Sequence, residues 1–328
     1  MKGIGLLYFI VQQTMFFSMP LLLVALGGLF SERSGVVNIA LEGIMVIGAL
    51  ASVLFIYLMQ TFEILSGNIL LICAILIASA AGMLYSLLHA YASINMKANQ
   101  VISGTALNLA ASPLAILVGR IATGSISGRS VQQIPFENQF HIAKVPLLGD
   151  IPLIGPLFFQ NTYITTYISI AILIVSWLML YKTRFGLRLR ACGEHPQAAD
   201  SVGINVFNMR YAGVVISGAL AGLGGLVFVI PTSTNFNASV AGYGFLALAV
   251  LIFGQWKPWR VFAASLFFGV MKTISASYSS IGLLQGLGIS SEIYKMIPYI
   301  ATLIVLVFSS RNSQAPKASG EPYDQGAR

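Results

Sequence analysis

Few residues in this 328-residue chain have the types and spacing to do chemistry, and those few suit binding rather than bond-making. There is no Gly-x-x-x-x-Gly-Lys-Ser/Thr loop to cradle nucleotide phosphates and no His-Glu-x-x-His to hold zinc. His89, His141 and His195 are far apart, and Cys73 and Cys192 make neither a disulfide framework nor a metal site. Neither catalysis, nor a metal site, nor a cofactor held by this chain is expected. His89 is expected to snorkel at an interface, His141 to be solvated, and His195 to cap a helix or face a partner.

The polar candidates are mostly neutral. Asn99, Gln100, Ser103 and Asn108, with Thr105, open one apolar stretch. Their amides and hydroxyls suit an uncharged solute bearing hydroxyls and ring nitrogens, and equally suit bonds from helix to helix. Asn38 and Glu42, four apart on one helical face, either brace an inner gate or cap and pack their own span. No arginine clamp for an acidic or phosphorylated solute is visible. Glu42, Glu63 and Lys272 lie near predicted span boundaries, Lys272 least comfortably, so an ion relay has little support. Phe236, flanked by Asn235 and Asn237, is a candidate contact for an external partner or an outer gate, or an interfacial aromatic on a solvated turn.

The elements that must position these residues follow from composition. Hydrophobic residues make up 57% of the chain and charged ones 9%, with a mean hydropathy of +0.84. A soluble domain carries about 25% charge. Charge-free windows such as Gly3–Ser31, Gly43–Phe62, Ile64–Met96 and Ala98–Gly119 are long enough for a membrane helix of about 20 residues. The predicted class is all-α, a polytopic transmembrane helical bundle. Spans fall near 6–30, 36–59, 68–91, 101–119, 161–181, 211–230, 240–254, 259–278 and 294–309, nine in all within a range of eight to ten. The run Ser217–Gly225 stacks Gly218 with Gly222 and Ala221 with Gly225, which predicts a tightly packed span.

Between two apolar stretches lies a hydrophilic run, residues 182–210, with five of the 18 basic residues against Glu194 and Asp200. Lys and Arg resist translocation, so this run is cytoplasmic. Alternation then puts residues 31–35, 95–99 and 257–260 on the same side, and residues 120–160 and the turn 231–237 outside. The N-terminus falls outside as well. Residues 1–309 form the membrane domain, and the polar tail 310–328 is expected to be cytoplasmic and disordered. The net charge of +8 is explained by membrane-flanking loops, so nucleic acid is not an expected partner and lipid is. Within the run, Pro196 suits the first position of a short helix and Gly203 its left-handed stop.

Ser31-Glu-Arg-Ser-Gly-Val-Val-Asn-Ile-Ala-Leu-Glu-Gly43, Gly186–Ile204, Ser217–Gly225 and Gly242–Val250 together resemble the inner-membrane permeases of ATP-binding cassette importers. The class is the branched-chain amino acid and simple-sugar group, in its nucleoside-type branch. The resemblance covers nearly the whole chain, with the motifs in the family's order. It implies a subunit of the bacterial cytoplasmic membrane that pairs with a second, homologous permease, a cytoplasmic ATPase that binds the ATP, and an extracytoplasmic substrate-binding lipoprotein. It also implies that 186–204 is the coupling segment, with Arg190, Gly193, Glu194, Pro196, Ala198, Ala199 and Gly203 meeting the ATPase. The implied cargo is a nucleoside, with a simple sugar or a ribityl vitamin such as riboflavin as the alternative. An ion-coupled secondary transporter and a membrane-embedded enzyme are the rivals from other classes.

Overall fold

The computed structural model describes residues 3–127, 133–278, 290–309 and 315–325. The apolar windows fold as helices because a bilayer leaves each peptide group to be satisfied within its own segment. Helices α1 (Gly3–Arg33), α2 (Leu41–Thr61), α3 (Gly67–Ala90) and α4 (Gln100–Ser127) precede an external segment. Then come α5 (Ile164–Lys182), the pair α6 (Arg184–Glu194) and α7 (Pro196–Ser201) in the run that charge assigns to the cytoplasm, and α8 (Val206–Thr232). The chain continues through α9 (Tyr243–Phe253), α10 (Pro258–Ser277) and α11 (Ser291–Ser309). Among the described residues, six helices are long and apolar enough to cross a membrane: α1 to α5 and α8. The 20-residue α10 and the 19-residue α11 have the length but carry Arg260 and Lys272, and Glu292 and Lys295.

Two expected spans are shorter or later than the hydropathy suggested. The second span begins at Leu41 rather than 36, because residues 35–40 are unwound. The seventh expected span, near 240–254, yields only the 11-residue α9, about 16 Å at 1.5 Å per residue, half a hydrocarbon core. Asn38 therefore does not share a helical face with Glu42.

The external segment is built, not featureless. Helix α4 runs on to Ser127, past the expected boundary at 119. Strand β1 (Ile134–Pro135) pairs antiparallel with β4 (Asn235–Phe236), and β2 (His141–Lys144) with β3 (Gln160–Tyr163). The first pairing ties the external segment to the turn after α8, and Phe236 is buried there rather than solvated.

Helix α8 is the central post, packed against α1, α2 and α3. The predicted glycine face makes this approach. A Cβ on Gly222 would overlap the Ala78 carbonyl of α3, and one on Gly48 of α2 would overlap the Gly222 backbone. One on Gly225 would strike the carbonyl of Met45. Small residues replace the hydrophobic effect here, since lipid is as apolar as the helix surface. Gly222→Leu must therefore push α8 and α3 apart, at about 1–3 kcal/mol. We expect it to lower the thermal unfolding midpoint of the detergent-solubilised protein well below that of Gly5→Leu, where nothing lies within 4 Å of a new Cβ.

Candidate functional site

Two polar regions stand out: the unwound segment 35–40 and the cytoplasmic pair α6–α7. The first is a run of peptide groups that no helix satisfies, so side chains must. Ser31 Oγ donates to Val36 O at 2.7 Å, and Val37 N donates to Gln100 Oε1 at 2.7 Å. His89 Nε2 donates to Val37 O at 2.9 Å, which leaves Nδ1 to accept from Ser103 Oγ at 3.1 Å. Asn108 closes the far end: its Nδ2 donates to Ile39 O at 2.8 Å and its Oδ1 accepts from Gly43 N at 2.7 Å. Asn38 accepts from Ala40 N and donates to Ser217 Oγ of α8 at 2.9 Å. Gly35, at φ +96°, makes the turn out of α1.

The structure thus brings together Gln100, Ser103 and Asn108, but around a stretch of backbone. Asn99 stands apart, capping α4 by accepting from Val101 N and Ile102 N at 2.9 and 3.1 Å. His89 is fully buried rather than snorkelling. Sequence reasoning missed it because a lone histidine near a span end carries no signal of the carbonyl it serves.

Glu42 does not cap its own helix either. Its carboxylate accepts from Gly242 N at 2.9 Å and Gly244 N at 2.6 Å, at the N-terminus of α9. Four N–H groups at a helix start lack intrahelical partners, and the helix dipole favours an anion there. Gly242, at φ +76°, and Gly244, whose Cβ would overlap Glu42, let the two elements meet.

The cytoplasmic pair has more structure than the expected single short helix. The eleven-residue α6 is amphipathic: Thr183 Oγ1 accepts from Gly186 N at its start, and Gly186, Leu189, Cys192 and Gly193 are buried. Charge density hid this helix, since its arginines masked the apolar face. Pro196 does open α7, and Gly203, at φ +81°, ends it, with Gly203 N donating to Asp200 O and Ile204 N to Ala199 O.

Of the residues expected to meet an ATPase, several face inward. Gly193 is buried against the Arg33 carbonyl, and Pro196 and Ala199 are buried too. Arg190 lies over the Tyr181 ring at 4.8 Å, and Glu194 pairs with Arg33 at 3.4 Å. Ala198 and Gly203 are exposed, together with His195, Gln197, Ser201 and Val202, the last 74% exposed. Arg33 also donates to Trp256 O at 3.0 Å, and Trp256 Nε1 to Glu32 at 2.6 Å. The segments assigned by charge to the cytoplasmic side therefore converge: 31–35, 182–210 and 257–260 meet at the end of α1.

The tail is a correction. Of the expected disordered stretch 310–328, residues 315–325 pack onto this same surface. Ala318 N donates to Gly193 O at 2.9 Å, Gly320 N to Gly35 O at 3.2 Å, and buried Arg210 to Glu321 O at 2.9 Å. Lys97 pairs with Asp324 at 3.1 Å. Tyr323, only 4% exposed, packs with Cys192, Ala199 and Val206. One aromatic among polar residues, with a row of backbone donors, suffices to dock a stretch whose composition reads as unfolded.

Two predictions follow from these contacts. Burial pushes the Cys192 thiol up to about 11, only partly opposed by Arg210. Thiolate is the reactive form and falls to about one part in a thousand at pH 8 for such a group. Maleimide labelling of Cys192 at pH 8 should be slow and should climb with pH towards 10. Deleting residues 315–328 should raise it about tenfold or more, because Tyr323 no longer covers the site. Separately, Glu42→Ala removes both acceptors of the α9 cap and should destabilise the protein by about 1–3 kcal/mol. Glu42→Gln keeps one acceptor and should fall between it and the parent in thermal unfolding.

Comparison with known proteins places this geometry. The model of the family described as branched-chain amino acid transport system / permease component matches residues 10–306. The guanosine ABC transporter permease protein of Bacillus subtilis is 43% identical over 333 aligned residues, covering 100% of both chains. The nucleoside ABC transporter permease protein of Lactococcus lactis is 40% identical, over 98% of this chain and 99% of its own. A putative glucose ABC transporter permease protein of Haloferax volcanii is 31% identical over 88% of each. No solved structure matches. With a matched region spanning all the described membrane helices, the chain belongs to the branched-chain amino acid transport system permease component family.

Proposed function

We propose that the chain is the membrane-spanning subunit of an ATP-binding cassette importer that carries nucleosides, guanosine among them, into the cell. The observation that carries this reading is full-length similarity at 43% and 40% to two permeases named for guanosine and nucleosides. The chain is a multi-pass protein of the cytoplasmic membrane, and a permease of this family works with an ATPase and a substrate-binding protein. In the fuller reading a second, homologous permease completes the path and a lipoprotein delivers the cargo. ATP binds the partner ATPase, and this chain holds no cofactor.

The exposed edge of α7 is the contact through which hydrolysis is felt. A ligand or partner shifts an equilibrium only by binding its two states differently. The α6–α7 pair suits that role because it is rigidly joined to the membrane helices: Glu194 to Arg33, Gly193 against the end of α1, and Arg210 beneath the tail. Movement of α7 is transmitted to α1 and the unwound segment rather than absorbed in a loose loop.

Placing a charge on the exposed edge tests the coupling without disturbing the fold. Ala198→Glu combined with Val202→Glu should cut co-purification of the ATPase about tenfold or more, since each new carboxylate is desolvated at the contact. Slow Cys192 labelling should persist. Undiminished ATPase retention would place the contact elsewhere. Cargo is tested by uptake into proteoliposomes holding the whole complex: guanosine uptake dependent on ATP supports the reading, while uptake of glucose or riboflavin in its place replaces it.

A further inference from the structure

Lys272 belongs to neither network above, yet it lies inside α10, five residues short of its outer end. It is half-buried, and among the described residues no carboxylate pairs with it. An ionisable group within a membrane helix is a functional candidate by default. The side chain borders a cleft of about 330 Å³ between α1, α8, α9, α10 and α11, within the roughly 300–1,000 Å³ range of small-molecule sites. Phe17, Phe228 and Tyr243 supply aromatic walls, Ser275 a hydroxyl, and Lys295 lies at the rim.

Two details separate this cleft from a packing defect. The Lys272 ammonium sits 5.4 Å from the Tyr243 ring centre and 5.5 Å from that of Tyr299, held by their faces rather than by an anion. Tyr243 is 2% exposed, and its hydroxyl makes no hydrogen bond among the described residues. A buried hydroxyl without a partner calls for an explanation, and an absent ligand is one. Phe228 and Tyr243 lie 4.3 Å apart between ring centres and pack against each other, so a pair of aromatic rings lines one side of the cleft. The cleft also shares Phe228, Thr232 and Ala241 with a second hollow of about 250 Å³ beneath the external turn, where Asn235, Phe236 and Asn237 lie. It is therefore approached from the outer side.

We propose that this cleft is a way-station for the base of the incoming nucleoside and is matched to an oxopurine. The inference rests on the nucleoside reading above. A flat heterocycle stacks on aromatic side chains whatever its identity. The ammonium adds selectivity, because guanine presents a keto oxygen and a ring nitrogen side by side, an acceptor pair that lysine satisfies. Adenine offers an amino donor at the keto position and is disfavoured there. The Tyr243 hydroxyl gains a partner from the same ring edge. Glu42 holds the start of α9, so the first turn of α2 sets where Tyr243 stands.

The test uses the complete transporter, photolabelled with azidoguanosine and competed by guanosine, inosine and adenosine. The parent should be labelled at peptides containing Phe228 or Tyr243, with guanosine and inosine competing better than adenosine. Lys272→Met should weaken guanosine competition about tenfold and erase the preference over adenosine, whereas Lys272→Arg retains most of both. Tyr243→Phe should weaken binding about threefold without changing the preference. Labelling that maps elsewhere, or an unchanged guanosine preference in Lys272→Met, overturns the site while leaving guanosine uptake by the parent intact. A parent that neither takes up nor is labelled by any nucleoside overturns the cargo reading and this inference together. Equal weakening of all three competitors, with a lowered melting temperature, would make Lys272 a packing residue and overturn the proposal.

Discussion

A peptide group inside a bilayer has no water to bond, and each one left unsatisfied costs several kcal/mol. Among the described residues, the link 35–40 between α1 and α2 is a non-helical stretch buried in the bundle, and much of the polar chemistry around it answers that break. Gln100, His89 and Asn108 reach from α3 and α4 to bond Val37, Ile39 and Gly43, while Ser31 bonds Val36 from within α1. Asn38 turns outward from the segment to Ser217 on α8. Buried non-helical backbone persists only where protein satisfies it, and side chains from α1, α3 and α4 do so here.

The break also explains the short α9. Because α2 begins late, Glu42 arrives where a second chain segment starts a helix, and its carboxylate supplies the acceptors that α9's first N–H groups require. An unwound segment and a half-length helix are then one arrangement, each satisfying what the other exposes. Discontinuous helices meeting inside the membrane are the usual means by which transporters build a site without lipid-exposed backbone. At the end of α1 that leads into the break, Glu32 and Arg33 bind Trp256 and Glu194, so the same turn that opens the break also anchors α6 and the segment before α10.

Hydropathy made the bundle legible, because span length and charge exclusion are set by the bilayer rather than by tertiary detail. It located every long helix among the described residues and, by alternation from the run 182–210, which loops lie on one side of the bundle. Pro196 and Gly203 marked α7 because each acts through local backbone geometry alone. What was not legible depended on partners distant in sequence. Asn108 reads as a polar residue in a span until Gly43, 65 residues away, is seen beside it. Residues 315–325 read as disordered because composition reports what a segment can bury by itself, and this one is docked by groups that α6, α8 and residue 35 provide. The family resemblance named 186–204 as a segment of interest, yet could not say which residues within it face outward.

That last distinction bears on how force passes through the molecule. Gly193, Pro196 and Ala199 carry motif spacing but lie inside the fold, where they seat α7 against it. The exposed edge of α7 is small, and its leverage comes from what stands behind it. Glu194 and Arg33 link it to α1, and the tail spans Gly193, Gly35 and Arg210 in one strap. A displaced α7 must therefore strain the α1 turn at Gly35, which is where the unwound segment begins. Packed elements of this kind switch between discrete arrangements rather than deform continuously. The break at residues 35–40 is held by side-chain bonds instead of a helical ladder, so strain arriving at Gly35 meets Gln100, His89 and Asn108 rather than a continuous helix.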